Sequence, residues 1–342
     1  MKLENFNEWL ATTSREIGAH SAACLRMDNP LLRRSIGEND GRVAAWLKNG
    51  MHGEMKYLER MLPEKSNPWK TYPFAKSVIV LTFSNLWGDS AAINPFPEPA
   101  NDALLGYISA YARGNDYHST GQRMLSRLMI LLGDHVHATA AVDTAPVYER
   151  LFATIGGLGE VGENGLLRAS GCGNTRFFIG CLFVAAELPE VIHTAQMPFD
   201  CVTCRACVTN CPTGAIKASE SIDARKCISY LTMEKRGSLS HKEGQAIGHW
   251  LFGCDSCTMV CPPADKADMR IPIDLEWLLK SPASEIRRTI KDNATSYAGV
   301  TQLRKNAVVV LKNMRAQRAQ DLLHWVRENT GSELIRQQID LW

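Results

Sequence analysis

The chain has 342 residues, 45% of them apolar and 22% charged, which suits a globular protein of two or three packed units. Thirty-eight basic residues against thirty-six acidic ones leave a formal charge of +2, so the molecule as a whole is no polycation, although a local basic face can still exist. No apolar run approaches the roughly 18–20 residues that span a bilayer. The opening MKLENFNEWL carries charges where a signal peptide is apolar, and it holds no twin-arginine pair. The expected setting is the cytoplasm, with no membrane attachment.

In chain order, apolar periodicity predicts a helix over residues 3–17, a short strand over 22–27 and a buried strand over 78–83, where the sequence reads VIVLTF. A proline-rich loop follows at 85–101, then a strand at 106–112. A helix is expected at 119–132 with Gly133 ending it, a strand at 138–142, and a helix at 146–155 with Pro146 in its first turn. Residues 156–165 are glycine-rich and read as a loop, and 177–188 returns as a strand. Residues 1–195 are therefore expected to form an α/β domain with a mixed sheet. Residues 196–265 form a cysteine-rich module with a helical insertion. Residues 283–342 form a helical tail, with faces at Leu303, Ala307, Val310, Leu311 and at Leu322, Leu323, Trp325, Val326, as in a HEAT-like hairpin. Between Glu285 and Arg318 the tail carries eight basic residues (Arg287, Arg288, Lys291, Arg304, Lys305, Lys312, Arg315 and Arg318) against Glu285 and Asp292. Such a run is either a solvated face or a surface for a phosphate backbone.

Eight of the eleven cysteines fall between Cys201 and Cys261. An odd total without an export signal argues against a disulfide framework. The first group, Cys201, Cys204, Cys207, Cys211 and Pro212, is the C-x2-C-x2-C-x3-C-P run of bacterial ferredoxins, in which three thiolates grip one iron–sulfur cube and the fourth reaches another. The second group is Cys227 followed, after an insertion, by Cys254, Cys257, Cys261 and Pro262. Pseudo-symmetry then predicts crossed ligation: Cys201, Cys204, Cys207 and Cys261 on one [4Fe–4S] cluster, and Cys227, Cys254, Cys257 and Cys211 on the other. Zinc is the competing reading of C-x2-C pairs, but two C-P endings with eight matched cysteines exceed a zinc ribbon. Cys24, Cys172 and Cys181 stand outside the pattern and read as small buried residues.

Two clusters form an electron wire, and three motifs offer it an end point. Residues 157–162, GLGEVG, match the dinucleotide fingerprint, yet a helical segment precedes them where that fold needs a strand. Residues 116–121, DYHSTG, fit the pattern of proteins that ligate cobalamin through histidine, but the serine and paired-glycine elements that should follow are missing at their distances. Asp143 ends an apolar strand, a place where α/β sheets put chemistry, and apolar surroundings should raise its pKa and suit it to act as a general acid; the alternative is a cap for the next helix.

Together the segments YARGNDYH (111–118), VDTAPVYER (142–150), GLGEVGEN (157–164), the first cysteine run, DARKCISYLTME (223–234) and FGCDSCTMVCP (252–262) resemble the epoxyqueuosine reductase family, cobalamin-dependent iron–sulfur enzymes of tRNA modification. The resemblance implies a cobalamin-binding reductase-like α/β domain, a ferredoxin-like two-cluster module, and a corrinoid bound base-off between them. Asp143 matches the family's proton donor. Motif position marks Arg113, Tyr117, His118, Asn164, Ser229 and Asp255, with Asp143, as cofactor contacts. The tail and insertion would hold a tRNA anticodon stem-loop, a low-potential donor would supply electrons, and the chain would act as a monomer. The sequence departs from the family at Glu163, where lysine is usual, over residues 166–176, and at Pro263 and Ala264, all in loops placed to line a substrate pocket. A corrinoid reductase acting on another electrophile, or an electron carrier without catalysis, are the alternatives.

Overall fold

The computed structural model describes residues 5–84, 94–133, 136–218, 221–262 and 269–341; the expected N-terminal turn at 3–4, most of the proline-rich loop, and Pro263 and Ala264 lie outside them. Four strands, β1 (Ser21–Arg26), β2 (Ser77–Phe83), β7 (Phe178–Val184) and β4 (Ala138–Val142), form one sheet in that spatial order. Every neighbouring pair in it is antiparallel, so this sheet is not the mixed one expected. Helices clad both of its faces, which produces the continuous apolar runs usually read as parallel strands. All seven residues of β2 are buried. Val78 and Val80 enter a core with Leu32, Ile36 and Phe152, while Ile79 and Leu81 enter one with Phe6, Leu10, Leu125 and Leu128. That alternation is the two-residue period of a pleated strand, and it sandwiches the sheet between helices Phe6–Glu16 and Tyr117–Leu132 on one side and Pro30–Lys48 and Glu149–Ile155 on the other.

The strand expected at 106–112 is shorter and lies elsewhere. It is β3 (Leu105–Ile108), followed by a 3₁₀ turn at Ala110–Ala112. Its partners are β8 (Trp250–Phe252) in parallel and β9 (Ile271–Asp274) in antiparallel. Glycine suits position 106, because a Cβ would come within 2.7 Å of Leu251 Cδ1 and would have to displace that buried side chain. This small mixed sheet shares one core with the tail: Ile108, Leu251 and Ile273 pack with Leu303, Val308, Val309 and Leu311 of helix Gly299–Asn313. Tail, insertion and β3 thus bury a continuous apolar surface.

Two further differences concern the segment after β4. The helix expected from Pro146 starts at Glu149. Pro146 disfavours a helical residue before it, and Val147 N–H turns back onto the Ala145 carbonyl instead. The glycine-rich stretch holds β5 (Gly159–Val161), which pairs antiparallel with β6 (Leu167–Ala169) in a hairpin. No helix among the described residues is long and apolar enough to cross a membrane.

Candidate functional site

The first cysteine run sits on two short helices, Cys201–Cys204 and Ala206–Asn210, joined at Arg205, whose φ of 49° places it in the left-handed region. That reversal turns the three thiols toward one cavity, which is lined by Cys201, Cys204, Cys207 and Cys261 together with Asn164, Arg168 and Phe199. Burial, and then the charges of Cys201 and Cys261, push the Cys207 thiol up to about 11. Of the second group, Cys227, Cys254 and Cys257 lie near one another. Burial pushes Cys254 up to about 11, with Cys227 adding to the rise, and Cys257 is raised by burial and then by Cys254 and Cys227. Cys211 is the exception: burial opposes its ionisation, yet hydrogen bonds from Thr213 and from the backbone of Ile216, Thr213 and Ala215 bring it below the ordinary thiol value. All eleven cysteines are free of disulfides. Among the described residues no three metal-binding side chains converge as ligands of a single ion do. Four thiols line one cavity, the ligand number of a four-iron cube.

Asp143 follows β4, the strand that lies at the edge of the large sheet. Its φ of 46° makes it, with Arg205, one of two non-glycine residues at positive φ among those described. A left-handed turn is tolerated best by Asp and Asn, and it persists where its surroundings hold it. Here Tyr117 Oη donates to Asp143 Oδ2 at 2.8 Å, and His118 Nε2 lies 3.1 Å from the same oxygen. The other ring nitrogen, Nδ1, is 2.8 Å from Asp116 Oδ1, which also caps helix Tyr117–Leu132 by accepting from the His118 amide. The Tyr117 ring stacks on Phe178, centroids 3.9 Å apart, which pins the group to β7.

The electrostatics of this group reverse the expectation for Asp143. Burial pushes its carboxyl up, but the hydrogen bonds from His118 and Tyr117, with the charges of His118 and Lys65, bring it below the ordinary carboxylate range. His118 rises to about 9, held first by Asp116 and then by Asp143. At neutral pH the proton therefore rests on the imidazole, between two carboxylates. About half of the Asp143 side chain, 51%, remains open to solvent, so a ligand has access to it. Asp143 does not cap the next helix, whose first turn receives no side-chain cap.

Of the expected cofactor contacts, the structure brings only Tyr117 and His118 to Asp143. Arg113 donates to the Met269 carbonyl at 3.1 Å. Asn164 is buried at the cysteine cavity and bonded to Thr175. Ser229 sits on helix Ile228–Met233, two residues after Cys227. Asp255 is buried with both oxygens engaged, by Ser109 Oγ and by Ala110 N–H, so it fastens the turn after β3. The GLGEVG motif follows a helix, and its glycines serve packing: a Cβ at Gly157 would come within 1.8 Å of the His193 carbonyl oxygen, and one at Gly159 within 2.0 Å of the Arg168 carbonyl oxygen.

Sequence reasoning missed three things. Asp116 is the larger holder of the His118 proton, and the Asp-x-His spacing could have signalled it. Glu234 accepts from Tyr297 Oη at 2.9 Å, and Tyr57 lies close enough to feel the charges of both Glu234 and Asp143, a cluster drawn from four distant segments. The basic face of the tail is also smaller than its composition implies. Lys305 is fully buried, donating to the carbonyls of Lys235 and Gly237 at 3.0 Å each. Arg304 donates to the carbonyls of Leu278 and Ser281, and Lys312 to that of Ile339. These three are structural, while Arg287, Arg288, Lys291, Arg315 and Arg318 are exposed.

A family model described as "Epoxyqueuosine reductase QueG, DUF1730" matches residues 65–144, and one described as "4Fe-4S double cluster binding domain" matches residues 200–264. The epoxyqueuosine reductase of Pseudomonas aeruginosa is 32% identical over 332 residues, covering 89% of this chain and 86% of its own. That of Xanthomonas campestris is 30% identical over 320 residues, covering 89% and 88%. Among solved structures, epoxyqueuosine reductase from Streptococcus thermophilus superposes with a TM-score of 0.82 at 22% identity, over 98% of this chain and 88% of that one. An epoxyqueuosine reductase solved with a tRNA-Tyr epoxyqueuosine-modified stem loop gives 0.80 at 20% identity, over 99% and 89%. These structures share the fold, and the likeness to the curated relatives extends over most of both chains: the protein belongs to the epoxyqueuosine reductase family.

Proposed function

We propose that this chain reduces epoxyqueuosine to queuosine in tRNA, in the cytoplasm, with electrons passing through two [4Fe–4S] clusters to a cobalamin. The observation that carries the reading is the half-open Asp143 carboxylate, held in a left-handed turn by Tyr117 and His118 in a chain of this family. The donor chemistry fits the cofactors. Cys201, Cys204, Cys207 and Cys261 line one cavity and Cys227, Cys254 and Cys257 lie near one another, which supports the crossed ligation with Cys211 as the eighth ligand. The histidine beside Asp143 has both ring nitrogens engaged by carboxylates, so its role beside a bound corrinoid would be to hold a proton rather than to bind metal. Tyr117, His118 and Asp143 would face the corrin from the α/β side, and Ser229 from the side of the second cysteine group.

Converting an epoxide to an alkene breaks both C–O bonds and consumes two electrons and two protons, releasing water. When bound, the clusters and the corrinoid supply the electrons at low potential. The chain's own task is the first proton, taken up as the ring opens; the second, which lets the oxygen leave as water, comes from solvent, which re-protonates His118 through the half-open site. Asp143 Oδ2 shares hydrogen bonds with Tyr117 and His118, which leaves Oδ1 to meet the substrate oxygen. An alkoxide is far more basic than a carboxylate, so as it develops it draws a proton through Asp143 while His118 gives up its own. A carboxyl that is ionised at rest can thus serve as the donor because a protonated imidazole stands behind it. Cys204 is the exposed thiol of the first group, and that exposure supports the first cluster as the entry point for electrons from an external donor.

For the tRNA, helix Ala283–Ile290 brings Arg287, Arg288 and Lys291 to the loop that carries Asp116, whose amide donates to the Asp292 carbonyl at 2.7 Å. These cations would hold phosphates beside the catalytic group, with the HEAT-like helices Gly299–Asn313, Gln317–Asn329 and Glu333–Asp340 behind them. A single base must leave the anticodon loop to reach Asp143.

The test is anaerobic reconstitution with iron, sulfide and cobalamin, followed by incubation with epoxyqueuosine-containing tRNA under a low-potential reductant. Queuosine formation supports the reading. Corrin uptake without turnover of the tRNA would overturn the substrate in favour of another electrophile, and no corrin uptake would leave an electron carrier.

A further inference from the structure

We propose that Arg168 sets the reduction potential of the cluster held by Cys201, Cys204, Cys207 and Cys261, by placing a buried positive charge and its N–H groups against that cluster's sulfur. The inference rests on the crossed assignment of the cysteines made above, and it concerns a residue that none of the motifs marks.

Arg168 lies on β6 and is only 1% exposed, the largest of the fully buried side chains. Its Nη1 donates to Cys201 Sγ at 2.8 Å, its Nη2 donates to the Phe199 carbonyl at 2.6 Å, and the guanidinium lies over the Phe199 ring at 4.3 Å. Nε has no hydrogen-bond partner. Among the described residues no carboxylate lies within ion-pairing distance of it; Asp200, which feels its charge, is exposed and spends its oxygens capping helix Cys201–Cys204. An unpaired guanidinium is costly to bury. The Phe199 carbonyl and ring offset part of that cost, and the sulfurs of the cavity that Arg168 lines with all four thiols offset the rest. The glycines around it give the side chain its place: Gly159 lets the Arg168 backbone approach β5, and a Cβ at Gly162 would stand 3.1 Å from Arg168 Cδ.

Reduction adds one negative charge to a cluster already ringed by thiolates. A fixed cation bonded to one of its ligands favours the reduced form, and charge and hydrogen bonds to sulfur are the protein's main control over such potentials. Arg168 therefore makes this cluster, the one with the exposed Cys204, easier to load from an external donor than it would be without the cation.

The experiment is an EPR-monitored redox titration of anaerobically reconstituted wild type, Arg168→Gln and Arg168→Lys, with iron counted in each. Arg168→Gln should shift the reduced-to-oxidised ratio of one cluster about tenfold toward oxidised at fixed potential, or ~59 mV downward, and leave the other cluster in place. A second measurement covers the case in which Arg168→Gln fails to load iron. In wild type grown on ¹⁵N-arginine, pulsed EPR of the reduced protein should show a nitrogen coupling that Arg168→Lys abolishes. Unchanged potentials with full iron content, or no such coupling, would overturn the proposal while the cluster assignment stands. Absence of one or both clusters from the wild type would instead overturn the assignment.

Discussion

Replacing Asp116 by Asn should lower the pH at which the protein loses tRNA reduction. His118 titrates at about 9 rather than its ordinary 6.5, held first by Asp116 and then by Asp143. Each pH unit is worth about 1.4 kcal/mol, so net of the burial that opposes them the two carboxylates hold the proton by roughly 3 kcal/mol. They do not share that equally. The Asp143 side chain is 51% exposed and Asp116 24%, so solvent weakens the Asp143 bond more. Asp116 accordingly carries over half, and its loss should bring the alkaline limb of the rate profile down by at least about one pH unit. Asn can still cap helix Tyr117–Leu132 through the His118 amide, so the helix start is preserved and the change isolates the charge. Stability should move with it. Because the folded value lies above the ordinary one, the pair stabilises the fold fully below about pH 6.5 and loses that contribution as the pH climbs through about 9. The assay is the initial rate of epoxyqueuosine-tRNA reduction between about pH 6 and 10, beside melting temperatures over the same range. An alkaline limb that stays in place, or moves upward, would refute the proton store.

Asp143→Asn should leave iron and corrin loading intact while product formation falls ~10²-fold or more, the usual scale for a lost general acid; an unchanged single-turnover rate would reduce Asp143 to a turn residue. Lys305→Met strands the carbonyls of Lys235 and Gly237, and should cost roughly 1–3 kcal/mol for each buried acceptor left unpaired, seen as a lower denaturation midpoint with no change in the salt dependence of tRNA binding. Arg287→Glu with Lys291→Glu should do the opposite, flattening the salt slope by about one for each phosphate no longer neutralised while stability stays within about 0.5 kcal/mol; an unaltered slope would mean that this face is merely solvated.

Legibility in the sequence followed the range of the interactions. The cluster cysteines are set by spacings of two and three residues with a closing proline, a local rule that survives any tertiary context, and four of them do ring one cavity. Strand β2 was readable because every residue in it is buried. Its antiparallel neighbours were not, since helices on both faces erase the polar alternation that marks direction. The strand β3 failed for a related reason: residues 106–112 look continuous, but Asp255 from the second cysteine group captures Ser109 and Ala110 and bends the chain into a turn. The pKa of Asp143 came out in the wrong direction because the apolar strand before it is visible in the sequence, whereas Tyr117 and His118, 26 and 25 residues away, are not. Lys305 and Arg304 show the limit of charge counting: a cation on a helix is a phosphate contact only where the fold leaves it outside.

The segment 109–118 is where the separate parts of the molecule meet. Asp255 fastens its start from the second cysteine group, and Asn293 of the tail fastens its middle. Its end carries Asp116, Tyr117 and His118 to Asp143 on the large sheet. Asn293 is 2% exposed; its Nδ2 donates to the carbonyls of Ala112 and Gly114, the latter at 2.7 Å, and its Oδ1 accepts from the Thr295 amide at 2.9 Å. Asn293→Ala would leave two buried carbonyls and an amide unpaired, a loss of roughly 2–4 kcal/mol at about 1–3 for each such group with partial relaxation. If the tail only adds stability, that is the whole effect, and below the melting range the variant should reduce tRNA with the alkaline limb of wild type. If the tail positions the proton store, His118 shifts against its two carboxylates, and a displacement of about 1 Å is enough to cost on the order of 10²-fold in rate. The limb then moves toward neutral pH as the two bonds lengthen, and Asn293→Asp, which keeps Oδ1 but cannot donate to the carbonyls, should restore neither the rate nor the limb. Rate and limb moving together distinguish positioning from stability, because a chain that merely unfolds more easily loses amplitude without changing the pH at which its folded fraction titrates.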